Sequence, residues 1–306
     1  MAWWKMSTYK QILEFIDIIS YMLSDYLLNQ VKTTASLKII SQIIDHSNKE
    51  VSEAVLAFLA AARYLLDDRK AFLQLEETDS MQEYIKKNSD SIIKLAVEKS
   101  VQANFPERAL PLFEVFEKKI EASSISVIEL GASYGLIGRC LLNPKKIVEK
   151  KDLYFSKEQQ LPKNPRAIDY YLGIELDPPD ERWIFACAPQ PDHELRLRNI
   201  VNGLPADKKF ELLKGNAFGF SELESVKRLT LQPTTIVVLT SFMLYQYDNK
   251  KQTLIKDEIL RFTDDVNGHW VSLTFNPASD EFIVEFAGER IIKLPDDHCI
   301  SWKWIE

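Results

Sequence analysis

Val127-Ile-Glu129-Leu-Gly131-Ala132-Ser133-Tyr-Gly135-Leu-Ile-Gly138 decides how this chain is read. An apolar, β-branched run ends in an acid, Glu129, and passes through a Gly/Ser turn into a stretch with helical spacing. Glycine in such a turn lets backbone approach a ligand without a Cβ in the way. The helix that follows offers free N–H groups at the same place. A dinucleotide enzyme would show Gly-x-Gly-x-x-Gly, but Ser133 occupies the second glycine position. A Glu-x-Gly-x-Ser-x-Gly loop instead suits a ligand carrying a carboxylate and an amine, as methionine does, with Glu129 receiving the amino group directly or through water.

Working toward the C-terminus, short β-branched runs alternate with helical stretches. The expected strands are 126–130, 171–176, 210–213, 235–239, 270–275, 282–286 and a last one within 291–304. Alternation of this kind indicates a largely parallel, doubly wound α/β sheet. The final strands follow one another too closely for crossover helices, so they are expected to pair antiparallel. Tyr171-Leu-Gly-Ile-Glu175-Leu-Asp177 ends strand two in carboxylates, the usual partners of ribose hydroxyls. Glu175 and Asp177 lie two apart and share a sheet face. After strand three, Gly215-Asn216-Ala217-Phe218 places a polar side chain where an adenine amine would lie and an aromatic ring able to stack on it. After strand four, Thr240-Ser241-Phe242-Met-Leu-Tyr245 faces the substrate side, because ligands sit at the carboxyl ends of parallel strands. Thr240, Ser241 and Tyr245 are the candidates there. Together these segments predict S-adenosylmethionine binding over Ile128–Gly135, with contacts from Glu129, Gly131, Ala132, Ser133, Gly135, Glu175, Asn216 and Ala217. A parallel sheet with antiparallel end strands and this loop is the class I methyltransferase arrangement.

The N-terminal part has a different texture. Residues 8 to about 120 read as helices only, and no glycine occurs before Gly131. Ile12, Phe15, Ile16 and Ile19 recur at helical spacing, as do Leu37, Ile40, Ile43 and Ile44. Further helices are expected over 49–66, 89–101 and 109–120. The expected division is a helical cap over 1–120 and a Rossmann-like domain over 121–306. The cap is either a plain bundle or a lid over the second half's site. Lys145–Asn164 is rich in Lys, Glu, Gln and Pro and reads as an exposed excursion.

Composition narrows the function classes. The chain has 306 residues, 46% apolar and 27% charged, with a net charge of −7. That balance argues against nucleic acid as the main partner, since such binding rests on Lys and Arg neutralising phosphates. The apolar run from Ile12 to Leu28 is broken by Glu14, Asp17 and Asp25, so neither a membrane span nor a membrane partner is expected. Cys140, Cys187 and Cys299 are odd in number and form no CxxC pair, which fits a reducing cytoplasm. His46, His193, His269 and His298 lack metal-ligand spacing, so no metal site is expected.

Several segments together resemble the bacterial proteins grouped as domain-of-unknown-function family 2332, regarded as methyltransferase-like. The resemblance begins at Ala57–Leu66 and continues at Val101-Gln-Ala-Asn104-Phe-Pro-Glu-Arg108, similar to the family's Gln-Thr-Asn-Glu segment followed by Arg. Glu129-Leu-Gly-Ala-Ser-Tyr-Gly-Leu136 resembles Glu-Leu-Gly-Ala-Ser-Ala-Gly-Leu, and Gly173-Ile-Glu175-Leu-Asp-Pro178 resembles Gly-x-Asp-x-x-Pro. It extends through Trp183–Pro191 with Arg196, Lys214–Ala217 and Leu294–Trp302. The match implies that the family's acid is Glu175 rather than Asp177, and that His298 is a cleft residue. Departures fall at Asn216 (a carboxylate in the family), Thr240 (His), Gln190 (Trp), Cys299 (Gly) and Ile137 (Asn). These alter the adenine and acceptor sides more than the glycine loop.

The function expected is methyl transfer from S-adenosylmethionine to a small-molecule acceptor. This is an in-line displacement that needs alignment and water exclusion more than a catalytic triad. Glu107 and Arg108 either project toward the cleft, with Arg108 pairing an acceptor carboxylate or phosphate, or the methionine carboxylate, or form a salt bridge that holds the cap to the core. The alternative is a non-catalytic protein of the same fold that binds S-adenosylmethionine or S-adenosylhomocysteine. A nicotinamide dehydrogenase is disfavoured by Ser133 and by the antiparallel end strands.

Overall fold

The computed structural model describes residues 3–18, 31–47, 49–66, 80–101, 105–149, 166–188, 191–204, 208–244, 247–276, 281–294 and 303–305. In chain order the helices before the sheet are α1 (Trp3–Ile18), α2 (Thr34–His46), α3 (Val51–Tyr64), α4 (Ser80–Lys87), α5 (Ser89–Glu98) and α6 (Leu110–Lys119). Then come β1 (Ile125–Leu130), α7 (Leu136–Leu142), α8 (Pro144–Glu149), β2 (Tyr170–Glu175), α9 (Glu181–Ala186), α10 (Pro191–Gly203) and β3 (Phe210–Lys214). The chain continues with α11 (Glu224–Thr230), β4 (Thr235–Ser241), α12 (Asn249–Asp265), β5 (His269–Asn276), β6 (Glu281–Phe286), β7 (Glu289–Leu294) and β8 (Lys303–Trp304).

Two compact units result. One comprises residues 1–104 and 180–198, the other 105–179 and 199–306. The first is helical. Thr33 caps α2 by accepting the Ser36 N–H, and Ile39, Ile40 and Ile43 then face inward. The Ala-rich helix α3 is buried on most sides, from Ala54 through Ala62, as suits the centre of a bundle. Asp180 caps α9 at 2.7 Å from the Trp183 N–H, and Trp183 is fully buried among the apolar residues of α1, α2 and α3. Its indole N–H donates to the Ser100 carbonyl at 2.8 Å.

The second unit is built on one sheet in the order β3-β2-β1-β4-β5-β6-β7-β8. Strands β1 to β5 run parallel, whereas β6, β7 and β8 add antiparallel. From β1 the order proceeds outward through β2 and β3 and then restarts on the other side with β4. The crevice of such a sheet therefore opens at the carboxyl ends of β1 and β4. Every residue of β1 is buried: Ile125 and Val127 enter one apolar layer, Ile128 and Leu130 the other. Ala287 and Gly288, at φ 49° and 82°, make the two-residue turn between β6 and β7, where positive φ matches the twist of the strands.

The expected strands lie within two residues of those observed, and the last stretch proves to hold two strands, β7 and β8. The division differs from the expected break at residue 120. Leu110, Leu112, Phe113, Val115 and Phe116 of α6 are buried with Val127, Tyr171 and Leu239, so that helix belongs to the sheet unit. Conversely, Trp183 carries residues 180–198 into the helical unit. In both cases the burial of large apolar groups decides membership. Of Lys145–Asn164, the first residues lie in α8 and residues 150–164 lie outside the described residues, as do residues 19–28 of the Ile12–Leu28 run. Among the described residues no helix is long and apolar enough to cross a membrane.

Candidate functional site

Of the residues expected to hold a ligand, Glu129, Gly131, Ala132, Ser133, Gly135 and Glu175 lie at the carboxyl ends of β1 and β2, while Asn216 and Ala217 follow β3. Glu129 is buried, 2% exposed, and the Tyr171 hydroxyl donates to its Oε2 at 2.5 Å. Its Oε1 has no hydrogen-bond partner among the described residues. Burial pushes this carboxyl from the ordinary 4.5 up to about 8; the Tyr171 bond opposes the shift, the Glu175 charge adds to it and the Arg108 charge reduces it. The Tyr171 phenol is itself driven well up, first by burial and then by Glu129.

Of the two acids at the tip of β2, Glu175 turns toward the loop and Asp177 away from it. Glu175 Oε2 accepts the Ser133 N–H at 2.7 Å, and Oε1 accepts the Leu176 N–H at 3.0 Å. Asp177 pairs instead with Lys214 at 2.8 Å, both side chains largely exposed. Burial raises the Glu175 carboxyl while the backbone N–H groups pull it back.

The amides of the turn itself are engaged: the Gly131 and Ala132 N–H groups donate to the Ile174 carbonyl at 2.9 and 3.3 Å, and the Gly135 N–H to the Ala132 carbonyl at 2.7 Å. With Ser133 committed to Glu175, these four N–H groups are taken up within the protein, and the carboxylates are the acceptors beside them. The glycines serve conformation and packing. Gly131 and Gly135 sit at φ 73° and 70°, where a side chain is strained. A Cβ on Gly131 would meet the Met243 side chain at 2.5 Å, and one on Gly135 would meet the Phe210 ring at 2.6 Å. A Cβ on Gly138 would run into the Tyr171 ring. This last glycine lets α7 lie against β2, the close helix–strand contact that the third glycine of such loops provides. Ser133 itself adopts φ 52°.

Beneath the loop runs an aromatic stack that sequence reasoning missed. Tyr171 stacks on Phe210 at 5.1 Å, and the buried Arg139 guanidinium lies 4.8 Å from both the Phe210 and the Tyr134 rings while donating to the Leu204 carbonyl at 3.1 Å. Its only sequence signal is a cation in an otherwise apolar helix.

At the tip of β3, Asn216 Oδ1 accepts the Phe218 N–H at 3.0 Å, which orients the amide, and the amide nitrogen is its donor. Ala217 is buried. The Phe218 ring meets Tyr247 edge to face at 5.9 Å, and the Tyr247 phenol is raised by burial and then by the Glu175 charge. Tyr247 thus feels the Glu175 charge; Tyr245, the candidate from the sequence, lies outside the described residues along with His298.

The tip of β4 divides by strand alternation. Thr240 shares a face with Ile236 and Val238, and its Oγ1 accepts the buried Trp270 indole N–H at 3.2 Å, making it a core residue rather than a substrate contact. Ser241 is on the other face, buried, and its hydroxyl has no partner among the described residues. Phe242 follows at φ 51°, and the buried Arg108 guanidinium lies over its ring at 4.4 Å. Arg108 stands in the short 3-10 turn Pro106–Ala109, with Glu107 buried next to it.

The amino ends of the strands carry a separate cavity of about 570 Å³ lined by Ser124, Tyr170, Glu211 and Arg228. Its polar groups satisfy one another: Tyr170 donates to Glu211 at 2.5 Å, Ser225 to Glu211 at 2.9 Å and Arg228 to Ser225 at 2.9 Å. The Tyr170 phenol is pushed up to about 12 by burial and by Glu211, so it stays a donor. This network ties α11 to β2 and β3 and lies away from the switch-point crevice.

Among the described residues no group of His, Cys, Asp or Glu is placed to hold a metal ion. No protein-family model matches the chain, and no curated protein matches it.

Proposed function

We propose that the sheet unit is a class I methyltransferase-like domain that binds S-adenosylmethionine at the carboxyl ends of β1 and β2 and passes its methyl group to a small-molecule acceptor. The observation that carries this reading is the Glu175 carboxylate, held by the Ser133 and Leu176 N–H groups beside Glu129 at the point where the strand order reverses. With the Asp177 N–H also bearing on it, the carboxylate is fixed by backbone donors and keeps acceptor capacity for the ribose hydroxyls. Glu129 Oε1, the oxygen that the Tyr171 hydroxyl leaves open, suits an ammonium group, whose charge would draw the carboxyl into its ionised form. Phe218 and Tyr247 offer aromatic faces for a purine, with the Asn216 amide nitrogen as donor to a ring nitrogen.

When bound, the cofactor supplies an electrophilic methyl on a sulfonium centre. The protein's part is to fix the ligand, exclude water and keep an acceptor in line with that methyl. Arg108, buried above Phe242, is the cation on the acceptor side, and Ser241 the hydroxyl.

The non-catalytic reading, a sensor of S-adenosylmethionine or S-adenosylhomocysteine, is favoured by two details. Thr240 is engaged by Trp270, and the Asn216 carbonyl by Phe218. Calorimetry with S-adenosylmethionine, with NAD as control, tests what both readings share: no heat from the former with folded protein removes the cofactor assignment. A labelled-methyl assay over metabolite pools then separates enzyme from sensor. Glu175→Ala is expected to weaken binding at least tenfold, two charge-assisted contacts being worth more than about 1.4 kcal/mol, without unfolding the protein.

A further inference from the structure

The helical unit contains a cavity of about 810 Å³, open to solvent, between α2, α4 and the first turn of α5. Its side-chain chemistry is one-sided. Among the described residues Lys32, Lys38 and Lys86 line it, with the amides of Gln42 and Gln82, against one acid, Asp90. Lys32 is held by Asp17 at 2.6 Å, but among the described residues no carboxylate pairs with Lys38 or Lys86. Thr33, Thr34 and Ser89 add hydroxyl groups to the same wall. With Lys32 neutralised by Asp17, two ammonium groups face one carboxylate among the described lining residues, in a chain of net charge −7.

We propose that this cavity binds a small polyanion, its anionic oxygens coming from phosphoryl or carboxylate groups. Lys38 on α2 and Lys86 on α4 approach it from two helices, and the glutamine amides supply neutral hydrogen bonds. Lysine acts here as a point charge rather than a planar fork, which suits a compact ligand with charge on several sides. The volume falls within the range of small-molecule sites and far exceeds one inorganic ion. The site is independent of the crevice at Glu129 and Glu175, so it stands whether or not methyl transfer is the protein's activity.

Titration of the full chain with pyrophosphate and, separately, citrate at low ionic strength tests this, because screening at about 0.1 M salt already shortens the reach of such charges to ~10 Å. At least one probe is expected to bind, and whichever is tighter names the source of the oxygens. Lys38→Gln and Lys86→Gln are each expected to weaken that binding about fivefold or more, and the pair together by the product. Lys94→Gln, on the same unit but outside the cavity, should change nothing. Both lysines are exposed, so the variants fold, and S-adenosylmethionine calorimetry on them should match the parent protein. Absence of heat with both probes, or affinity unchanged in the double variant, overturns the proposal.

Discussion

Replacing Glu129 by Gln should remove a specific dependence of stability on pH. The carboxyl titrates near 4.5 in the unfolded chain and at about 8 in the folded one, chiefly because it is buried, with Tyr171, Glu175 and Arg108 as its charged or hydrogen-bonding neighbours. Between those values the folded state keeps a proton that the unfolded state has released. Raising the pH through that window therefore favours unfolding, by up to about 1.4 kcal/mol per pH unit. The accumulated effect from pH 5 to pH 8 is on the order of 4 kcal/mol. Gln cannot ionise, yet its carbonyl oxygen still accepts the Tyr171 hydroxyl. The variant and the parent should thus be nearly equal near pH 5, and the variant should be the more stable near pH 8. The assay is urea denaturation of both proteins at several pH values. Taking their difference cancels the helical unit and the similarly raised Glu175. Parallel stability curves across that range would refute the assignment of a buried, largely protonated acid to Glu129.

Gly138→Ala puts a methyl group into the Tyr171 ring, which cannot yield easily because it is stacked on Phe210 and bonded to Glu129; a loss of about 1–3 kcal/mol in chemical denaturation is expected. Thr240→Val leaves the buried Trp270 indole without its acceptor, costing about 1–3 kcal/mol, while S-adenosylmethionine binding measured by calorimetry stays unchanged because the residue lies on the core face. Phe218→Ala should weaken that binding by about 1–3 kcal/mol through lost ring stacking, with unfolding midpoints shifted little since the ring is only partly buried.

Local pattern was enough for most elements. The β-branched runs locate β1 to β6, because alternation and burial on a pleated surface are written into neighbouring residues. The strand–Gly–helix unit at 127–138 was legible for the same reason. The resemblance favours Glu175 over Asp177, and the fold gives the two acids different partners: one meets the Ser133 N–H, the other Lys214. Thr240 misled because alternation is a property of the folded strand; one step along β4 exchanges the core for the crevice.

The sequence by itself determined that a parallel sheet with antiparallel end strands exists, that a glycine turn follows its first strand and that acids stand at the tips of strands one and two. Tertiary structure alone decided that the Gly131, Ala132, Ser133 and Gly135 N–H groups are consumed internally and that Glu129 is buried and bonded to Tyr171. It also assigned α6 to the sheet and Trp183 to the helices. The reason is range. Propensity and periodicity act over a few residues, whereas hydrogen-bond partners 42 positions apart, as in Tyr171 and Glu129 or Ser133 and Glu175, are chosen only when the strands have been brought side by side.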